Sequence, residues 1–74
     1  MNYSRLLTPQ AKRHIAMSIK AAKFEGNDYV CIDSDRIISL FASTLTHEEY
    51  KKLDWEVAED FLFEYTENKF KDFC

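Results

Sequence analysis

The sequence predicts an all-α fold, a small bundle of about four helices, and three observations support this. The 74 residues contain one glycine, Gly26, and one proline, Pro9, so tight turns are scarce. Capping residues divide the chain into segments of helical length. Apolar residues recur within these segments at steps of three and four, which places them on one helix face. We therefore expect residues 1–74 to form a single small helical domain.

The first predicted helix is residues 9–25. Thr8 supplies a hydroxyl cap ahead of a proline at the first helical position, and Gly26 supplies the exit. Residues 28–32 then form a β-favouring run with no second strand to pair with, so we expect a short, buried, extended connector there. Cys31 lies within this run and is expected to be a small core residue.

Three more helices are expected in the second half of the chain. Asp33 and Ser34 can cap the second helix, and Thr46 to Glu49 matches the capping box that begins a short third helix. Asp54 is the cap of a long, amphipathic fourth helix that follows it to about residue 70. The apolar side of that helix is predicted to carry Trp55, Val57, Ala58, Phe61, Leu62 and Tyr65.

Charge is divided unevenly along the chain, whose net charge is −3. Residues 1–24 hold five of the ten Lys and Arg residues and no acid, whereas all 13 Asp and Glu residues lie in 25–74. This division has three interpretations: the two parts pair within the chain, hold a dimer together, or face two different partners.

The fourth helix carries the candidate partner-binding site. Phe63 and Phe70 fall within the acidic half of its helical wheel, two turns apart. Apolar groups surrounded by charge are typical of interaction surfaces. We call this surface the acidic–aromatic face, and its predicted members are Glu56, Glu59, Asp60, Phe63, Glu67 and Phe70. The alternative is that the two phenylalanines pack against the tail or the connector.

A second candidate surface lies on the first helix, beside its apolar side. Its four cations gather within about a quarter-turn, and we call them the basic ridge: Lys12, Arg13, Lys20 and Lys23. Such a ridge can bind an acidic protein surface, or bind phosphates weakly and without reading sequence, or it is simply a solvated face. If the chain binds DNA, residues 33–53 would supply a helix-turn-helix. The third predicted helix of the chain, which would read the bases, lacks the Arg, Asn and Gln residues that contact base edges.

Catalytic and metal-binding patterns are weak, so we expect a non-enzymatic protein without cofactor or metal. His47 is followed by two glutamates, but acids in a first helical turn are explained by the helix dipole. Cys31 and Cys74 have no metal-ligand spacing, although Cys74 could cross-link dimers under oxidation. No stretch has the apolar length of a membrane span, and the expected location is the cytoplasm.

The second half also resembles a known family. The matching residues are Ile32-Asp33-Ser34, Arg36, Leu45-Thr46, Glu49, Ala58, Leu62, Glu64, Thr66, Asn68-Lys69-Phe70 and Asp72. With gaps, they are similar to the Hha/YmoA family of small enterobacterial nucleoid modulators. The resemblance implies a four-helix protein without base readout that docks acidic residues, here Glu59, onto the basic dimerisation arm of an H-NS-type silencer.

The predicted function is a regulatory or inhibitory protein-interaction module of the phage or plasmid modulator type. Its partner would be a protein with a basic or nucleic-acid-binding surface, held by the acidic–aromatic face. The first alternative is a helix-turn-helix-like or nucleoid-associated DNA-binding regulator that uses the basic ridge. The second is a self-associating subunit, a possible homodimer, in which the basic ridge of one copy meets the acidic face of another.

Overall fold

The computed structural model describes residues 2–73, and all secondary structure in that range is helical. The predicted all-α fold with a long last helix is therefore confirmed. A short 3₁₀ helix, which was not predicted, precedes the four α-helices. The elements are the 3₁₀ helix Tyr3–Leu6, α1 Pro9–Glu25, α2 Ser34–Ala42, α3 His47–Lys52 and α4 Trp55–Asp72.

Helix α1 has the bounds that its caps predict. The Thr8 hydroxyl oxygen accepts the Ala11 N–H at 3.1 Å. Gly26 adopts a left-handed conformation with φ of 75°. Its N–H donates to the Lys23 carbonyl, and the next N–H, that of Asn27, donates to the Ala22 carbonyl. These two bonds form the Schellman motif, which needs a residue that tolerates positive φ, so glycine ends the helix here.

The connector between α1 and α2 contains neither helix nor strand. Val30 and Ile32 are half-buried, whereas Tyr29 and Cys31 are exposed. The predictions of a buried connector and of Cys31 as a core residue are therefore wrong, because exposure alternates along this extended segment and Cys31 lies on its exposed side. The Asp33 N–H donates to His14 Nε2 at 3.1 Å, which joins the end of the connector to α1.

The three later helices begin at their predicted caps. Asp33 and Asp54 each accept a backbone N–H of the first turn of α2 and α4 at 3.2 Å. Thr46 and Glu49 form both bonds of the capping box at the start of α3. No residue of α3 is buried, so this helix depends on its cap and on neighbouring side chains.

The main core joins the 3₁₀ helix, α1, α2 and α4. Its buried members are Leu6, Ala11, Ile37, Ile38, Phe41, Ala58 and Leu62. Thr66 continues the buried stripe of α4, and its hydroxyl donates to the Leu62 carbonyl at 2.8 Å. Trp55 and Val57 were predicted to lie on the apolar side but are 37% and 45% exposed. Trp55 is the first residue of α4, and Val57 is about 100° or more away from Ala58 and Leu62 on the helix. Cys74 and its predicted cross-link lie outside the described residues.

Candidate functional site

Phe63 is the exposed aromatic centre of the acidic–aromatic face. Its side chain is 48% exposed in the middle of α4. Glu59, Asp60 and Glu67 are three or four residues away along the helix, and side chains at that spacing are surface neighbours. Glu56, two turns before Phe63, is also exposed. The phenyl ring of Phe63 therefore has carboxylates on both its N-terminal and its C-terminal side along α4.

Two of these carboxylates have partners on their own helix. Glu59 is half-buried, and its Oε1 accepts the Trp55 indole N–H at 3.0 Å, which orients the carboxylate. Glu67 lies 3.6 Å from Lys71, but both side chains are more than two-thirds exposed. An exposed pair at this spacing contributes little, so Glu67 can exchange Lys71 for another cation.

Phe70 differs from Phe63 because it lies against α1. It is half-buried, and Lys23 Nζ is 3.9 Å from its ring centroid. This cation–π contact joins one residue of each candidate surface. The alternative prediction placed Phe70 against the tail or the connector, whereas this contact is with α1. Lys23 and Phe70 therefore support the packing of α1 on α4, and Phe63 is the more accessible of the two rings.

The rest of the basic ridge is exposed. Within residues 2–73, no ion pair joins Lys12, Arg13 or Lys20 to an acidic side chain. Two apolar residues that were not predicted as part of a surface site lie next to them: Met17, and Phe24, which is 93% exposed. Met17 and Phe24 are seven residues apart, as are Arg13 and Lys20, and this spacing could have predicted that all four lie on the same side of α1.

Among the described residues of the basic N-terminal part, Arg5 forms an ion pair within the chain. Its guanidinium lies 3.6 Å from the Glu49 carboxylate and 5.6 Å from the Phe41 ring centroid. The pKa of Glu49 is lowered from its ordinary 4.5, mainly because the Thr46 N–H donates to it, with further help from the Thr46 hydroxyl and the Arg5 charge. Pairing within the chain therefore applies to Arg5 and leaves most of the basic ridge unneutralised.

The N-terminal segment is also fixed to α4 by Tyr3. Its hydroxyl accepts the Asp54 N–H at 3.0 Å and lies 3.4 Å from the Asp54 carbonyl. Asp54 is the residue that caps α4, so one phenol connects the 3₁₀ helix to the start of the helix that carries Phe63. This contact holds the acidic–aromatic face in a fixed place relative to the core.

A wide groove of about 680 Å³ lies between the start of α1 and α2. His14, Asp33 and Arg36 are among its polar lining residues, and Ile37 and Phe41 are among its apolar ones. Because His14 Nε2 accepts a backbone N–H, that nitrogen is occupied as an acceptor. In the described part of the chain, no three His, Cys, Asp or Glu side chains are placed to hold a metal ion.

These features define a small all-α protein with two charged helix faces, one acidic and one basic. Comparison with protein-family models, with curated proteins and with solved structures found no match for this chain. The resemblance to the Hha/YmoA family therefore stays a prediction. Among residues 2–73, no helix is both long enough and apolar enough to cross a bilayer.

Proposed function

We propose that this chain is a non-enzymatic regulatory or inhibitory module that binds a partner protein through the acidic–aromatic face. The observation that carries the proposal is the 48% exposure of Phe63 among carboxylates on an 18-residue helix. A large apolar side chain at a charged surface costs solubility without adding to the core, and such residues are typical anchors of interfaces.

The two kinds of side chain would have different roles in binding. Carboxylates of Glu56, Asp60 and Glu67 attract a basic surface and raise the association rate. Phe63 then enters an apolar depression of the partner and provides most of the binding free energy. Because α4 is capped by Asp54 and anchored by Tyr3, little ordering of the face is needed on binding.

The preferred partner is a protein whose own basic surface binds nucleic acid. The carboxylates of α4 are spaced along one rigid helix about 27 Å long, and they would neutralise cations that otherwise contact phosphates. Binding of this kind inhibits by occupation of the partner's surface, and no chemistry is required of this chain.

The test is affinity purification from a bacterial lysate with three baits: the native chain, Phe63→Ser and Val57→Ser. Val57 is the matched control because it is 45% exposed on the same helix, about 120° away from Phe63. Loss of about 2 kcal/mol at an anchor weakens binding by roughly thirtyfold, so Phe63→Ser should lose a specific protein that Val57→Ser retains. Mass spectrometry identifies the protein, and equal recovery by both variants would overturn the proposal.

A second candidate function is nucleic-acid binding through the basic ridge. The observation that favours it is that Lys12, Arg13 and Lys20 are exposed with no ion pair in the described part of the chain. The same purification tests this function when Lys20→Glu is added as a fourth bait. The function is favoured if the first three baits capture one shared set of proteins, if nuclease treatment removes that set, and if Lys20→Glu fails to capture it. A short α3 of six residues limits any sequence preference.

A further inference from the structure

An apolar groove of about 290 Å³ lies between α1 and the C-terminal part of the chain around the end of α4, outside the acidic–aromatic face. Ile15 and Ile19, both buried, line it together with the aromatic rings of Tyr65 and Phe73. Two exposed lysines, Lys12 and Lys69, also line the groove, and Lys69 Nζ lies 5.7 Å from the ring centroid of Tyr65. No acidic side chain of residues 2–73 is among its lining.

These lining residues define the chemistry of an occupant. An apolar slot favours an apolar side chain, and two adjacent ammonium groups favour carboxylates beside that side chain. At about 290 Å³ the groove is at the lower end of ligand-site volumes, which suits one aromatic side chain better than a large ligand. The groove is therefore complementary to an aromatic residue flanked by acids on a helix.

The same chain carries such a segment. Phe63 is exposed on α4, with Glu59 and Asp60 one turn before it and Glu67 one turn after it. We propose that the α1–α4 groove of one copy receives Phe63 of a second copy, with the flanking carboxylates near Lys12 and Lys69. This inference rests on the premise of the proposed function, that the acidic–aromatic face is a binding surface, and it adds a second copy of this chain as an occupant.

The arrangement of the two surfaces determines the kind of assembly. Phe63 is about 120° from Lys69 and about 160° from Tyr65 around α4, so anchor and groove point in different directions. Two copies cannot easily fill both grooves reciprocally, and the contact is heterologous rather than two-fold symmetric. Self-association then proceeds beyond two chains as concentration rises, and each contact covers the face that a foreign partner would need.

The experiment measures mass by sedimentation velocity over a concentration series at low salt. The native chain is expected to exceed dimer mass, whereas Phe63→Ser lacks the anchor and the double variant Lys12→Glu, Lys69→Glu lacks the basic groove. Each variant alone should be monomeric, because the contact is weakened by about tenfold or more when an anchor or its paired charges are removed. Circular dichroism of both variants verifies that the helices are retained.

Mixing the two variants provides the decisive measurement. The double variant keeps its Phe63, and Phe63→Ser keeps its groove, so an equimolar mixture should form a complex of two chains and no larger species. A charge-matched control, Lys20→Glu with Lys51→Glu, makes the same change in net charge outside the groove and should associate as the native chain does.

Three results would overturn the inference: a monomeric native chain at every concentration, an equimolar mixture that stays monomeric, or loss of association in the charge-matched control. A monomeric native chain whose capture of a lysate protein still depends on Phe63 would leave the proposed function intact. Phe63-dependent self-association with Phe63-independent lysate capture would instead retain this inference and reject a foreign partner at this face.

Discussion

Individual side chains determine which charges of this protein are available for binding. Arg5 is occupied by Glu49 and the Phe41 ring, and Lys23 is occupied by the Phe70 ring. Lys12 and Lys20, by contrast, are exposed without an ion pair in residues 2–73. The basic N-terminal third therefore contributes some cations to the fold and leaves others for intermolecular contacts.

Glu49 gives a prediction for pH dependence. Its pKa is lower in the folded chain than the ordinary 4.5, so its charge stabilises the fold above 4.5 and this contribution is lost as the pH falls through the folded pKa. Glu49→Gln keeps a hydrogen-bonding group at the third helical position but removes the charge. We expect the variant to be less stable than the native chain near neutral pH, by an amount that disappears in acid.

Urea unfolding of both proteins over a series from neutral pH to about pH 3 measures this difference. Glu48→Gln is the matched control, because Glu48 lies next to Glu49 in the first turn of α3 without its bonds to Thr46 and Arg5. A difference between native and Glu49→Gln proteins that stays constant through the acid range would contradict the assigned cause.

The sequence predicted local features of single residues better than their surroundings. The caps at Thr8, Asp33 and Asp54 were predictable because a cap depends on residues only three positions apart. The exposure of Cys31 and the lysine over Phe70 were not, because both depend on which element packs against them.

At the scale of elements, the 3₁₀ helix makes several tertiary contacts although it has only four residues. Four residues are too few to show apolar periodicity, so no pattern predicted it. Yet Leu6 is only 1% exposed and belongs to the same core as Ala58 and Leu62 of α4. Tyr3 and Arg5 on the same short segment bind Asp54 and Glu49. The N-terminal segment thus joins α2, α3 and α4.

Leu6→Ala is therefore predicted to destabilise the protein strongly. Truncation of a buried leucine costs about 2–5 kcal/mol, a large part of the roughly 4–11 kcal/mol expected for a chain of 74 residues. Urea unfolding followed by circular dichroism measures the free energy of unfolding. Leu40→Ala is the matched control, because Leu40 is 55% exposed and its truncation should cost under about 1 kcal/mol. Equal losses would show that Leu6 is not a core residue.

The bounds of the helices were easier to predict from the sequence than the exposure of their side chains. The start and end of α1 were predictable because Pro9 and Gly26 mark them, and α3 was predictable from its capping box. The accessible face of α4 was predicted only in outline. The helical wheel placed Phe63 and Phe70 on the same face. They differ in exposure, because Phe70 contacts Lys23 of α1 and Phe63 is 48% exposed.

At the scale of the whole molecule, charge is separated rather than cancelled. The described chain is elongated, 43 × 18 × 16 Å, and its two long helices pack together mainly through apolar side chains and the Lys23–Phe70 contact. Opposite charges that remain on different faces add little to folding and much to encounters with other molecules. Salt should therefore affect folding and association very differently.

That difference is a testable prediction. Raising sodium chloride from about 0.1 M to about 1 M shortens the Debye length from about 10 Å to about 3 Å. The ion pairs found within residues 2–73, Arg5–Glu49 and Lys71–Glu67, are both exposed, so the free energy of unfolding should change by under about 1 kcal/mol. Association mass measured in the same two buffers should fall to that of a monomer at high salt. A large salt dependence of unfolding would instead mean that the acidic and basic faces stabilise each other within one chain.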